Sequence, residues 1–159
     1  GPTISPIGSI DGSGACAESV HCASQQQQQK DHAMFSHIML GADDLEKSKA
    51  FYDATLGVTG CKPGFSDPKG RIFYMTPTGV FAITKPIDGQ PASCGNGSTI
   101  GFAMESPEQA DAWHAAGLAN GGTDCEDPPG VREGNGMKLY LAYLRDPSGN
   151  KLCAMYRMP

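Results

Sequence analysis

From Phe35 onward, short apolar runs alternate with two helical patterns. Phe35-Ser36-His37-Ile38-Met39-Leu40, bounded by Gly41, reads as a buried strand. Asp43 stands three residues before Glu46, a capping-box spacing with Asp in place of Ser or Thr, and predicts a helix to about Leu56. Leu45, Ala50, Phe51, Ala54 and Leu56 supply its apolar face, and Gly57 ends it. A weak strand signal lies between Val58 and Phe65. Stronger ones at 71–76 and 80–85 are joined by the turn residues Pro77, Thr78 and Gly79. Residues 98–104 then read as a strand. Ser106-Pro107-Glu108-Gln109 has Ser at the N-cap, Pro at the first helical position and Gln at the third, and predicts a helix running towards Gly121-Gly122. Strands at 137–145 and 151–157 flank the turn Asp146-Pro147-Ser148-Gly149. Residues 126–137 are rich in turn formers and predict a long loop of the kind that serves as a lid or binding loop.

The second half repeats the first. A shift of 62 residues places His37 on Thr99 and runs without a gap to Gly60 on Gly122. Ile38 meets Ile100, Glu46 meets Glu108, Ala50 meets Ala112, Phe51 meets Trp113 and Leu56 meets Leu118. Strand, cap, aromatic and terminating glycine agree together, so two copies of a strand–helix–strands unit are expected.

Composition narrows the class. The 159 residues suffice for one buried core and fall short of two ordinary domains. A net charge of −5 with scattered Lys and Arg argues against nucleic acid or an anionic membrane as partner. No apolar run is long enough to span a bilayer, and no signal-peptide pattern is visible. Six cysteines without a C-x-x-C pair disfavour a zinc ribbon and fit reduced thiols, hence a cytoplasmic location. Residues 1–33 begin with Gly1-Pro2, like the remnant of a cleaved tag, and continue rich in Gly, Ser and Gln. They are expected to form a tag-derived or disordered leader ahead of a domain at 34–158, with modules at 34–92 and 97–158.

His37-Ile38-Met39-Leu40, the stretch Asp44-Leu45-Glu46-Lys47-Ser48-Lys49-Ala50-Phe51-Tyr52 and Leu56-Gly57 resemble the opening of vicinal oxygen chelate proteins. Tyr143-Leu144-Arg145-Asp146-Pro147-Ser148-Gly149-Asn150-Lys151-Leu152 resembles their closing motif. That superfamily includes glyoxalase I, bleomycin-resistance proteins, fosfomycin-resistance transferases and extradiol dioxygenases. The resemblance implies an α+β fold of two βαβββ modules whose mixed sheets curl into a cup, helices outside, and commonly a homodimer. In metal-dependent relatives the cup floor carries four ligands. Carried over, these positions hold His37, Ala82, Thr99 and Cys153. Only the first matches, and no carboxylate lies in 80–85.

A divalent ion doing Lewis-acid work needs three or four protein ligands. Glyoxalase-type isomerisation also needs a base, usually a carboxylate on the metal. Three readings follow. The first is a cup that binds a small organic molecule without the usual metal. Strand parity turns Phe35, His37, Met39, Val80, Ala82, Thr84, Thr99, Gly101 and Ala103 into such a cup, and the small residues among them leave volume. The second is a lyase or isomerase of glyoxalase type, holding Zn, Ni or Fe through His37 and non-standard partners. The third is metal-free chemistry by a Cys153 thiol beside His37; a small buried Cys and a satisfied strand His are the plainer alternatives. Arg132 is a candidate for an anionic group on the ligand, and Tyr74 and Tyr140 for the cup wall, although parity leaves both tyrosines open.

Overall fold

Regular structure follows the repeat. In the computed structural model, residues 1–3 and 34–159 are described, and the elements lie in the unit Phe35–Pro159. The expected leader lies, from residue 4 to residue 33, outside the described residues. The first module runs β1 (His37–Gly41), α1 (Leu45–Gly57), β2 (Phe65–Ser66), β3 (Ile72–Thr76) and β4 (Gly79–Thr84). The second runs β5 (Ile100–Ala103), α2 (Pro107–Ala119), β6 (Thr123–Asp124), β7 (Gly130–Gly134), β8 (Met137–Arg145) and β9 (Lys151–Arg157). A shift of 62 residues carries the bounds of α1 onto those of α2. The sheets are ordered β1-β4-β3-β2 and β5-β9-β8-β6, with β7 also paired to β8. In each, the opening strand lies parallel to the closing one. This is the expected α+β fold of two βαβββ modules, the second sheet having its outer strand in two pieces.

Both helices start as capping chemistry requires, one of them a residue later than expected. Asp44, not Asp43, is the N-cap of α1 and accepts from the Lys47 amide at 3.1 Å. Asp43 accepts instead from the Ala92 amide at 2.6 Å. At α2, Ser106 accepts from the Gln109 amide and Pro107 opens the helix, as its sequence demands. The buried face of α1 is Ser48, Phe51, Tyr52, Thr55 and Leu56. Ala50, assigned to that face by its apolar type, is exposed. Ser48, Phe51, Tyr52, Thr55 and Leu56 follow the i, i+3, i+4 spacing of one stripe, and Ala50, about 200° round the helix from Ser48, falls on the opposite side.

Residues 126–137 are not the structureless loop expected from their turn formers. They contain β7 and a two-residue hairpin, with Gly134 opposite Met137. The turn is Asn135-Gly136, both at positive φ (49° and 75°), as a primed hairpin turn needs.

One core joins the modules. Ile72, Tyr74, Phe81 and Ile83 of the first sheet meet Leu144, Leu152 and Ala154 of the second through Phe51, Tyr52 and Trp113 of the helices. The helices approach closely at Gly117, where a Cβ would lie 2.2 Å from Leu144 and 3.1 Å from Phe51. The closing turn clips the two modules together. Buried Asp146 accepts from Tyr52 Oη at 2.5 Å and from Asn150 Nδ2, and that same amide nitrogen donates to the carbonyl of Gly41. Among the described residues no helix is long and apolar enough to cross a membrane.

Candidate functional site

Each sheet has one face against the helices and one face free of them. On β1, Ile38 and Leu40 pack on the core while His37 and Met39 are exposed. On β5, Ile100 and Phe102 pack inward while Gly101 and Ala103 are exposed. This is the parity read from the sequence, and it turns His37 and Gly101 to the open side.

Register then fixes equivalences between the two open faces. Met39 faces Ala82, and Gly101, its counterpart after the 62-residue shift, faces Cys153. Ala82 and Cys153 are therefore equivalent positions of the two sheets. One strand further, Phe73 faces Ala82 and Tyr143 faces Cys153; Met75 faces Val80 and Arg145 faces Lys151. Phe73, Met75 and Val80 in the first module thus correspond to Tyr143, Arg145 and Lys151 in the second.

The two faces differ in chemistry accordingly. The first carries Met39, Phe65, Phe73 and Met75 around a shallow depression of about 440 Å³. Phe65 stacks on Phe73 with centroids 5.9 Å apart, and Arg71 lies 5.5 Å over the Phe73 ring. The small-residue floor expected from β1, β4 and β5 is thus bordered by large apolar side chains of β2 and β3. On the second face Lys151 Nζ lies 5.1 Å over the Tyr143 ring and pairs with Glu126. Arg145 donates to the Gly149 carbonyl at 2.8 Å. Burial pushes the Tyr143 phenol above its ordinary pKa.

A deeper cavity of about 280 Å³ lies where the modules meet. Leu56, Tyr74, Phe81, Ile100 and Phe102 give it apolar walls, Gly101 and Ala103 leave it room, and Ser36, His37, Thr59, Thr76 and Thr78 supply polar groups. Tyr74 is held from behind: its phenol donates to Asp53 at 2.8 Å. Asp53 also accepts from Lys49 and from the Gly64 amide. Burial raises the Asp53 pKa, but these hydrogen bonds outweigh it and hold the carboxyl below its ordinary value.

Of the residues singled out from sequence, Phe35, His37, Tyr74, Val80, Gly101 and Ala103 line this cavity. Ala82 lies beneath the first open face, fully covered. Thr84 is half-buried at the end of β4, and Thr99 is exposed just ahead of β5. Tyr140 donates to Asp111 of α2 at 2.6 Å and so lies on the helix side. Arg132 donates to the carbonyls of Asp127 and Pro128, binding its own loop. Cys153 is 4% exposed and donates to the Ala154 carbonyl, while His37 bonds Ser36 at 2.9 Å. Burial pushes the Cys153 thiol up, which keeps it protonated near neutrality. Among the described residues no hydrogen bond joins Cys153 to His37. His114 bonds Asp124 at 2.7 Å with its side chain 13% exposed.

The floor residues Phe65, Phe73, Met75, Tyr143, Arg145 and Lys151 escaped the sequence reading. The pleat of β8 and β9 carried the signal for the last three, since Tyr143 and Arg145 alternate with core-bound Leu144. Nothing of the kind marks Phe65, on a two-residue strand.

The donor set does not fit the metal site of metal-dependent relatives. Ala82 offers no donor, Thr99 a weak one, and His37 and Cys153 make two. Among the described residues no three His, Cys, Asp or Glu side chains converge as a cation would need.

Comparison with known proteins agrees with the geometry. The family model of the Glyoxalase/Bleomycin resistance protein/Dioxygenase superfamily matches residues 34–154. A glyoxalase/bleomycin resistance protein from Albidiferax ferrireducens T118 is 64% identical, with TM-score 0.76, over 78% of this chain and 99% of its own. A glyoxalase-related enzyme from Fulvimarina pelagi shares the fold at 21% identity and TM-score 0.58, over 78% of this chain and 88% of its own. No curated protein matches the chain. With the family model spanning both modules, and a solved relative matched along nearly its whole length, the chain belongs to the glyoxalase/bleomycin resistance/dioxygenase superfamily.

Proposed function

We propose that the protein binds a small organic molecule at the junction of its two modules, without the metal centre of its metal-dependent relatives. The carrying observation is the cavity of about 280 Å³, apolar-walled with His37 at one side. Its size lies near the lower end of small-molecule sites, and a few polar groups on an apolar wall are what orient such ligands. His37 serves as a hydrogen-bonding group to the ligand. The donor set argues for binding rather than for the isomerase or lyase alternative, because no carboxylate stands where that chemistry takes its base. Burial of the Cys153 thiol argues against its use as a nucleophile.

A homodimer in the cytoplasm completes the reading. Phe65 and Met75, 53% and 59% exposed on one open face, are the apolar side chains a second copy would cover.

Gly101→Leu tests the cavity, because a Cβ there meets nothing within 4 Å and the side chain can enter without strain. N-phenyl-1-naphthylamine, an uncharged dye that fluoresces in apolar sites, is expected to bind the wild type and to lose about tenfold or more in affinity in Gly101→Leu. Equal binding by both proteins would sink the assignment. Stoichiometric zinc, nickel or iron surviving dialysis would overturn the metal-free part.

A further inference from the structure

The lining of the junction cavity restricts the charge of what can occupy it. Leu56, Phe81, Ile100 and Phe102 wall it, and among the described residues that line it none is Lys, Arg, Asp or Glu. Charged groups around it are already paired. Lys49 and Asp53 pair behind Tyr74, whose phenol donates to Asp53. A shallow depression that shares Ser36, His37 and Val80 with the cavity also holds Asp67 and Arg71, and these two form an ion pair. Two further titratable groups of the lining stay neutral at ordinary pH. Burial, then the hydrogen bond to Asp53, pushes the Tyr74 phenol up; burial, then the Asp53 charge, pushes the Cys61 thiol up. A charged ligand would give up hydration here with no fixed counter-charge to replace it.

The polar groups of the lining are partly spoken for as well. Thr76 donates to the Gly79 carbonyl at 2.7 Å and accepts from the Gly79 amide at 3.2 Å. Thr59 has committed its proton to the Leu56 carbonyl at 2.7 Å, so its oxygen meets a ligand as an acceptor. Nδ1 of His37 bonds Ser36 at 2.9 Å, which among the described residues leaves Nε2 for a ligand. From this lining we propose that the ligand is an uncharged, largely apolar molecule that carries a hydroxyl, as an alcohol or a phenol does. The hydroxyl bonds His37 Nε2 in either tautomer, since it can donate or accept, and Thr59 offers a second acceptor. The inference rests on the cup-binding reading above and adds the charge and the polar group of the ligand to it.

Competitors built on one ring system make the test, read by displacement of N-phenyl-1-naphthylamine from the full chain. 2-Naphthylmethanol carries a hydroxyl and 2-methylnaphthalene no polar group, while 2-naphthoate is an anion and 2-naphthylmethylammonium a cation. The alcohol is expected to bind about tenfold or more tighter than either ion. It should also bind several-fold tighter than 2-methylnaphthalene, and His37→Ala should remove most of that advantage. An ion that matches the alcohol would overturn the uncharged class. An alcohol no tighter than 2-methylnaphthalene, or an advantage untouched in His37→Ala, would overturn the hydroxyl at His37. Dye that binds but is displaced by none of the four would overturn the ligand class, and in each of these cases the cup itself stands. Failure of the dye to bind the wild type would instead bring down the cup-binding reading, and the ligand class with it.

Discussion

At the scale of single residues, the polar groups behind the cavity matter more than their exposure suggests. Asp53 takes three donors from three segments: Lys49 in α1, the Gly64 amide ahead of β2, and the Tyr74 phenol on β3. Burial works against its charge, and these hydrogen bonds prevail, so the folded carboxyl titrates below the ordinary 3.8. A depressed carboxylate contributes stability that is fully present above its unfolded pKa and is lost as pH falls through the folded one. Asp53→Asn should therefore be less stable than wild type at pH 7, and the gap should narrow as the pH falls below 3.8 and through the lower folded value. Urea melts at pH 7 and below pH 3.8 would check this. A gap that stays constant with pH would mean that Asp53 acts by shape alone. Asn keeps an Oδ1 acceptor for the Tyr74 phenol and the Gly64 amide and loses only the partner of Lys49, so ligand binding is expected to change little. Gly64 admits no side chain in this arrangement, since a Cβ there would lie 2.6 Å from the Tyr74 ring.

At the scale of elements, the helices meet through a glycine. A Cβ at Gly117 would fall 2.2 Å from Leu144 Cδ1, 3.1 Å from Phe51 and 3.3 Å from Thr55. Ala gains about 1 kcal/mol of helix propensity over Gly, but overpacking a core costs about 1–3 kcal/mol. Leu144 could rotate its tip, whereas Phe51 is fully buried and cannot retreat. Gly117→Ala is therefore expected to lose roughly 1–2 kcal/mol net, read from the denaturation midpoint. A more stable variant would mean that α1 and α2 are less tightly apposed. Sequence already exposed much at this scale. The period of the repeat gave both helices, because caps and apolar spacing act within a few residues. Parity of β1 and β5 gave the orientation of His37 and Gly101, because a pleat leaves no other choice. What stayed hidden was long-range or composite. Asp43 and Asp44 are equal as caps until Ala92 claims one of them. Asn135-Gly136 is a hairpin signal that was outweighed by the many turn formers around it. The chemistry of the two floors emerges only when strand register sets Tyr143 against Cys153 and Phe73 against Ala82.

At the scale of the whole molecule, the question is whether two modules behave as one. Each has its own sheet and helix, and a duplicated chain could melt in halves. The contacts argue otherwise. Phe81 of the first sheet meets Phe102 of the second edge-on, with centroids 5.4 Å apart. Tyr52 of α1 donates to Asp146 in the closing turn of the other module, and Asn150 of that turn donates to Gly41 at the end of β1. Burial and the neighbouring Asp146 carboxylate push the Tyr52 phenol well above its ordinary pKa, so it remains a donor throughout the working range. Tyr52→Phe removes the phenol but keeps the ring among Phe51, Tyr74 and Phe81. It also leaves buried Asp146 with one donor fewer. A hydrogen bond to a buried charge is worth about 1.5–3 kcal/mol. In a domain of this size that corresponds to a fall in Tm of roughly 5–10 °C. Because the aromatic contacts persist, the fall should come as a single calorimetric transition. Two resolved transitions in Tyr52→Phe would mean that this one hydrogen bond, rather than the shared core, makes the modules cooperate.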